Sequence, residues 1–450
     1  MSSQIESHAT KSAAEIGAAI GRGELDPVTL AEYYLDRAAA IPDIYVRLTP
    51  ERALASARAA RERAKLGVRR GPLDGVPASW KDLFDLAGTP TEAGTKLREG
   101  YTPSRDAPVV ARAERAGMVA LGKTHLSELA FSGLGYNPMT ATAPNPFDKE
   151  RAPGGSSSGA AASLSFGVAA LAVGSDTGGS VRIPAAWHGL VGLKTTHGLI
   201  PLDGVTPLSP SLDTVGPLAR TVEDAALFHS VLADVPAPDL DGASVAGMRF
   251  YVPETVVFDE ITEDLRDAFD AALARLAAAG AVIERGPAPE FEETLAIAAS
   301  HGAIVNTEGY AVWQEALEAR PDAMFPMIRE RFRSGAGFTA PQIEFARLKF
   351  KALARSFVAR IAGFDAALCP TTPIHAPKIA DIAEDEGAYI HQNLLALRNT
   401  RLGNMLALCG LTIPNGETPA GLPASVLLTA APFAESLLLR TGAAIERALR

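Results

Sequence analysis

Apolar positions along the chain follow two periods. Within residues 263–279, Leu265, Phe269, Leu273 and Leu276 recur on one face of a helix, and Gly280 supplies its stop. The runs on either side, RFYVP at 249–253 and AVIE at 281–284, read as strands. Strand, helix and strand in succession predict a βαβ unit, hence a parallel or mixed sheet with helices packed on it.

Residues 1–70 read as N-terminal helices. Thr49-Pro50-Glu51 is a helix start, with Pro at the first helical position, and Gly67 is a stop. From 71 to 130 short apolar runs alternate with turns; 118–121 reads as a strand, and 126–130 opens a further ordered segment. Residues 136–155 are rich in Pro, Asn, Gly and Thr. They form a loop longer than the ~12–15 residues beyond which loops in compact domains are usually functional. Residues 160–173, AAASLSFGVAALAV, read as one small-residue helix buried on all sides. Residues 235–247 read as a surface connection and 300–360 as mostly helical. The segments AALCPTTP, LTIPNG and ASVLLTA read as strands before a closing helix at 434–449. No internal repeat is present.

Composition narrows the class. Of 450 residues, 47% are hydrophobic and 21% charged, with a net charge of −10, which excludes a disordered chain. The acidic balance and the lack of a basic run disfavour nucleic-acid binding. Cys369 and Cys409 sit in apolar settings, too few for a disulfide framework or a zinc site, and read as buried thiols. His125 and Glu128 have a ligand-like spacing but no third partner, so no metal is expected. The polar residues 1–12 lack a signal-peptide core, and 160–173 is shorter than the ~20 residues of a membrane span. The expectation is a cytoplasmic protein.

Two glycine- and serine-rich segments stand out: Pro153-Gly154-Gly155-Ser156-Ser157-Ser158-Gly159 and Gly174-Ser175-Asp176-Thr177-Gly178-Gly179-Ser180-Val181-Arg182. A flexible linker would not lead straight into an apolar run. A G-x-S-x-G nucleophile elbow on Ser157 needs a strand before it, and NPFDKERAP is a poor central strand. A phosphate-binding loop needs a Lys-Ser/Thr pair after its second Gly, and none is present. Taken with Gly71-Pro72-Leu73-Asp74-Gly75-Val76-Pro77 and Lys81-Asp82, the segments resemble the amidase signature family of Ser-cisSer-Lys hydrolases. The second continues in that pattern through Pro184-Ala185-Ala186-Trp187-His188-Gly189-Leu190-Val191-Gly192-Leu193-Lys194. The 24-residue step from Ser156 to Ser180 also fits the family. The resemblance covers about residues 10–230 and, more weakly, Gly421-Leu422-Pro423.

The resemblance implies an α/β amidase signature fold: a large twisted mixed β-sheet between helical layers, one domain over 1–450, with the signature core at 71–230. Residues 235–450 would complete the sheet, the helices and the substrate-pocket wall. It implies Ser180 as nucleophile, Ser156 as bridging serine after a cis Gly155–Ser156 peptide, and Lys81 as base. Physics agrees: a serine hydroxyl needs a proton acceptor, and a lysine serves only when burial, here beside Val76, Trp80 and Leu83, keeps it neutral. His125, His188 and His197 lie near the motifs but outside the family's catalytic positions. The run Thr177, Gly178, Gly179, Ser180 would form an oxyanion hole, with Asp176, Arg182, Ser157 and Gly155 in support.

Phe131, Ser132, Gly133, Leu134 and Tyr136 are expected to line the acyl pocket. Tyr310, Trp313, Phe325, Phe332 and Phe338 are expected in its other wall. The expected activity is hydrolysis of apolar or aryl amides, with carbamates and esters as further substrates, in the manner of the aryl-acylamidase and urethanase-like branch. No cofactor is implied. The expected partners are a small amide or carbamate and a second copy of the chain, with neither nucleic acid nor membrane. The alternatives are the amidase component of a tRNA-dependent amidotransferase and a catalytically inactive scaffold.

Overall fold

The computed structural model describes residues 2–450, and the local rules that start and stop helices are visible in it. Asp26 caps the helix Pro27–Ala40 by accepting from the Val28 N–H. Pro50 opens the helix Pro50–Lys65, whose last turn carries Arg63 and Lys65 against the helix dipole. Leu265, Phe269, Leu273 and Leu276 are all buried on the helix Glu263–Ala278. The strands flanking it pair in parallel from Arg249–Val282 to Pro253–Gly286, as the βαβ pattern predicts.

Eleven strands form a single sheet among the described residues. They are β1 Tyr45–Leu48, β2 Pro77–Lys81, β3 Val119–Thr124, β4 Leu171–Ser175, β5 Val191–Lys194, β6 Val215–Ala219, β7 Arg249–Pro253, β8 Val282–Gly286, β9 Ala366–Pro370, β10 Cys409–Glu417 and β11 Pro423–Ala430. Their order is β1-β3-β2-β4-β6-β5-β10-β11-β9-β7-β8. This is the mixed sheet with helices that the sequence predicts. Strand β2 lies between β3 and β4 and runs parallel to both. All five of its residues are buried, as expected of a strand covered on both faces. Pairing of Trp80 with Val173 brings the ends of β2 and β4, Lys81 and Ser175, side by side.

Three elements differ from the sequence reading. Residues 160–173 are not one helix: the helix Ser158–Ser165 stops, Gly167 takes a φ of 65°, and β4 follows. Apolarity on all sides marks a buried helix and a buried strand alike, so periodicity does not separate them. Residues 1–70 include the edge strand β1. The helix Glu386–Met405 has no counterpart in the sequence reading; it buries Asn393, Arg398, Asn399, Thr400 and Asn404, so polar residues occupy the core-facing positions that normally reveal a helix. Cys369 and Cys409 are both buried and free. Among the described residues no helix is long and apolar enough to cross a membrane.

Candidate active site

Lys81 is fully buried at the end of β2. Its Nζ lies 2.7 Å from Ser156 Oγ and 2.8 Å from Ser175 Oγ. Burial pulls its pKa down to about 7, against a smaller opposing pull from the Asp176 and Asp213 carboxylates. The next residue, Asp82, turns away and pairs with buried Lys123 at 2.8 Å, while its other oxygen accepts the Glu92 and Ala93 N–H groups. That anchorage fixes where β2 ends and so where Lys81 stands.

Ser156 arrives on the loop before the helix Ser158–Ser165, and the Gly155–Ser156 peptide is cis. The loop is pinned by backbone bonds from Gly155 N–H to Gly133 O (2.8 Å) and from Ser127 N–H to Ser156 O (3.1 Å). A Cβ at Gly155 would fall 2.5 Å from Ser127 Oγ and 2.6 Å from Gly135 N, so only glycine lets these backbones approach so closely. The Ser157 N–H donates to Ser180 O at 3.2 Å and its hydroxyl to Ser175 O at 3.3 Å. Ser157 thus ties the two serine loops together.

Asp176 organises the second loop. Its carboxylate accepts the Gly179 N–H (2.8 Å), the Val181 N–H (3.1 Å), two bonds from the Arg182 guanidinium (3.0 Å each) and the Asn404 side-chain amide (2.9 Å). Burial alone would raise its pKa, but Arg182 beside it holds the carboxyl well below the usual range. The Gly179 N–H, expected in the oxyanion hole, is thus engaged by Asp176. The N–H groups of Thr177, Gly178 and Ser180 make no hydrogen bond among the described residues. Thr400 Oγ1, on the helix Glu386–Met405, donates to Gly178 O at 2.8 Å and holds the loop from the other side.

Thr177, Gly178 and Ser180 face a cavity of about 150 Å3. Phe131 and Ser132 line it. Gly133, Leu134 and Tyr136 do not: Gly133 packs on Leu397 and Ile183, Leu134 is fully buried, and Tyr136 stands edge-on to Phe325. The far wall is largely aliphatic, with Leu208, Leu212, Ile304 and Val305, and the helix Glu386–Met405 adds Leu394, Leu397, Arg401 and Met405. The aromatic side chains expected there do not line the cavity. Phe332 packs on Phe131 with centroids 4.6 Å apart, and Trp313 Nε1 donates to Pro207 O at 3.0 Å. Of the residues expected between 290 and 345, none of the aromatic ones touches the cavity, whereas Arg331 does.

Two of the three histidines take other partners. His188 Nδ1 bonds Ser165 Oγ at 2.8 Å and His197 Nδ1 bonds Asp213 O at 2.9 Å; burial lowers the pKa of His125 to about 4. Among the described residues no group of three or more His, Cys, Asp or Glu could hold a metal ion. Sequence reasoning misses Ser175, the second partner of Lys81. Its signal is its place at the end of a strand parallel to β2, which stays hidden as long as 160–173 reads as helix.

Comparison with known proteins adds to this geometry. A family model described as Amidase matches residues 29–439. Over 449 residues the chain is 37% identical to 2-amino-5-chloromuconic acid deaminase of Comamonas testosteroni, covering 97% of this chain and 95% of that protein. It is 33% identical over 481 residues to a glutamyl-tRNA(Gln) amidotransferase subunit of Acidothermus cellulolyticus, covering 98% and 94%. A crystal structure of an amidase superposes with a TM-score of 0.88 at 30% identity, covering 97% of this chain and 99% of that one. The peptide amidase of Stenotrophomonas maltophilia does so with a TM-score of 0.80 at 28% identity, covering 97% and 96%.

Proposed function

This chain belongs to the amidase family, and on that premise we propose that it hydrolyses a carbon–nitrogen bond of a small linear amide through an acyl-enzyme on Ser180. The observation that carries this is the 2.7 Å contact between Lys81 Nζ and Ser156 Oγ in a fully buried setting. A neutral amine there can accept a proton through the Ser156 hydroxyl.

In this mechanism Ser180 Oγ attacks the carbonyl carbon, and its proton passes by way of Ser156 to Lys81. The N–H groups of Thr177, Gly178 and Ser180 receive the oxyanion, each worth on the order of a few kcal/mol in the transition state. The tetrahedral intermediate collapses as Ser156 returns a proton to the leaving nitrogen. Water then attacks the acyl-enzyme, loses its proton by the same route, and releases the carboxylic acid and free Ser180. One water is consumed per amine and acid formed.

The aliphatic wall supports an apolar acyl portion, and the small cavity supports a short one. Aryl specificity draws less support, since Phe131 is the aromatic residue that reaches the cavity. A carbamate or ester carbonyl offers the same electrophile to the same N–H groups, so both are proposed as secondary substrates. The relative named for deamination of 2-amino-5-chloromuconic acid supports release of nitrogen from a small acid. One sheet running from residue 45 to residue 430 supports a single domain over 1–450.

Identity of 33% to the glutamyl-tRNA(Gln) amidotransferase protein favours a second reading as the amidase component of such a complex. Assays of purified protein against matched amide, carbamate and ester substrates and glutamine, with Ser180→Ala as control, separate them. Amide hydrolysis that is lost in Ser180→Ala is expected. Glutaminase activity appearing only with a co-purifying partner would favour the amidotransferase. No hydrolysis and no reaction at Ser180 would leave the scaffold reading.

A further inference from the structure

The cavity beside Ser180 is lined by two arginines and, among the described residues, by no Asp or Glu. Of its lining residues, Arg331 and Arg401 are basic and none is Asp or Glu, in a chain whose net charge is −10. Arg401 follows Thr400, the residue that holds Gly178. Its Cβ stands 3.8 Å from where a Cβ on Gly178 would lie, so its stem rises directly against the oxyanion loop. The Arg401 Nε is buried without a hydrogen-bond partner. Arg331 comes from the helix Pro326–Arg333, donating Nη1 to Phe131 O at 3.0 Å and stacking over the Phe131 ring at 4.2 Å. That contact uses one of its five donors.

Neither guanidinium has an anionic partner among the described residues. Burial lowers both to about 10, Arg331 is lowered further by Arg401, and Arg401 by Arg398, with no Asp or Glu acting on either. Both are half-buried and stay cationic at neutral pH, so the cavity is lined by two like charges that no protein carboxylate compensates. Half-buried guanidiniums without a protein carboxylate are free to pair with an anionic group of a ligand. Arginine's planar fork matches a carboxylate in particular.

Building on the amidase reading, we propose that the substrate carries a free carboxylate on its acyl portion, held by Arg401 and Arg331 while the amide carbonyl faces Ser180. The substrate class is then a short monoamide of a dicarboxylic acid, and the product is the dicarboxylate. The aliphatic wall packs the carbon chain between the two ends. The pair also acts on specificity: an uncharged amide of the same length leaves both guanidiniums unpaired and binds poorly.

The test uses binding to the full-length Ser180→Ala protein, which requires no turnover. Malonate, succinate, glutarate and adipate are titrated calorimetrically, each beside its dimethyl ester. At least one dicarboxylate is expected to bind, its ester not to, and Arg401→Gln to weaken binding about 10–100-fold, as expected for loss of a charge-assisted hydrogen bond. Arg401→Lys, which keeps the charge without the fork, should fall between, and Arg331→Lys should weaken binding as well. Circular dichroism and melting establish that each variant is folded. In parallel, the wild-type protein is treated with an uncharged fluorophosphonate. Ester binding equal to that of the diacid, no binding by any diacid, or binding unchanged in folded Arg401→Gln and Arg331→Lys overturns the carboxylate site, even if Ser180 reacts. If diacids bind as expected while Ser180 stays unreactive, the carboxylate site stands and the hydrolase proposal falls.

Discussion

Lys81 Nζ lies 2.7 Å from Ser156 Oγ, and its other hydrogen bond goes to a second hydroxyl, Ser175 Oγ at 2.8 Å. With hydroxyls rather than carboxylates in contact, burial dominates and leaves the amine near pH 7. The sign follows directly. Below that pH the side chain is an ammonium ion and cannot take a proton; above it the neutral amine can. The rate should rise about tenfold per pH unit on the acid side, bend near neutrality and level above it. A profile of kcat against pH in the folded enzyme checks this, and a rate that falls between about pH 6 and about pH 8 contradicts Lys81 as base.

Lys81→Met and Ser156→Ala should each lower kcat about 10²–10⁴-fold, the usual range for loss of a positioned proton-transfer group. The double variant should lose little more than the worse single one, because the two act in one relay. Steady-state kinetics on all three decides the point. Additive losses would mean that the residues act independently.

The Asp176 carboxylate joins two loop N–H groups, Arg182 and Asn404. Asp176→Asn keeps the shape but strands the buried Arg182 charge, so stability should fall by on the order of 3–5 kcal/mol. Urea unfolding measures it. A change below about 1 kcal/mol would mean that the pair is not the anchor of the loop.

At Gly179 the backbone φ is 139°, and a Cβ would fall 2.1 Å from Thr400 Oγ1. Gly179→Ala must therefore displace either the loop or Thr400. Misplacing the oxyanion donors by about 1 Å should cost about 10²-fold in kcat. Thermal melting, which should change far less than the rate, separates a local effect from unfolding. Wild-type kcat in Gly179→Ala would show that the loop tolerates the shift.

The motifs of the candidate site are legible because each is local. Glycines mark the places where two backbones touch, as Gly155 does against Gly135, and Lys81 ends a strand whose apolar neighbours announce its burial. Ser175, by contrast, acquires meaning only when β2 and β4 are known to run side by side. Arg331 and Arg401 are silent for the same reason: they come from distant segments, and nothing in their immediate sequence reports that they share a cavity. The aromatic residues of 290–345 read as a wall from composition, yet side chains such as Phe332 do not line the cavity. The polar positions of the helix Glu386–Met405 look like a solvated face in sequence. In the fold, Thr400 and Asn404 hold the Ser180 loop.

The proposed mechanism turns on a covalent bond between the substrate acyl group and Ser180. Fluorophosphonate labelling followed by peptide mass spectrometry tests it most directly. A single adduct is expected on the peptide bearing Ser180, absent from Ser180→Ala, with amide turnover lost in parallel. An adduct on Ser156 or Ser157 instead, or a folded Ser180→Ala protein that still turns over amide, would contradict it.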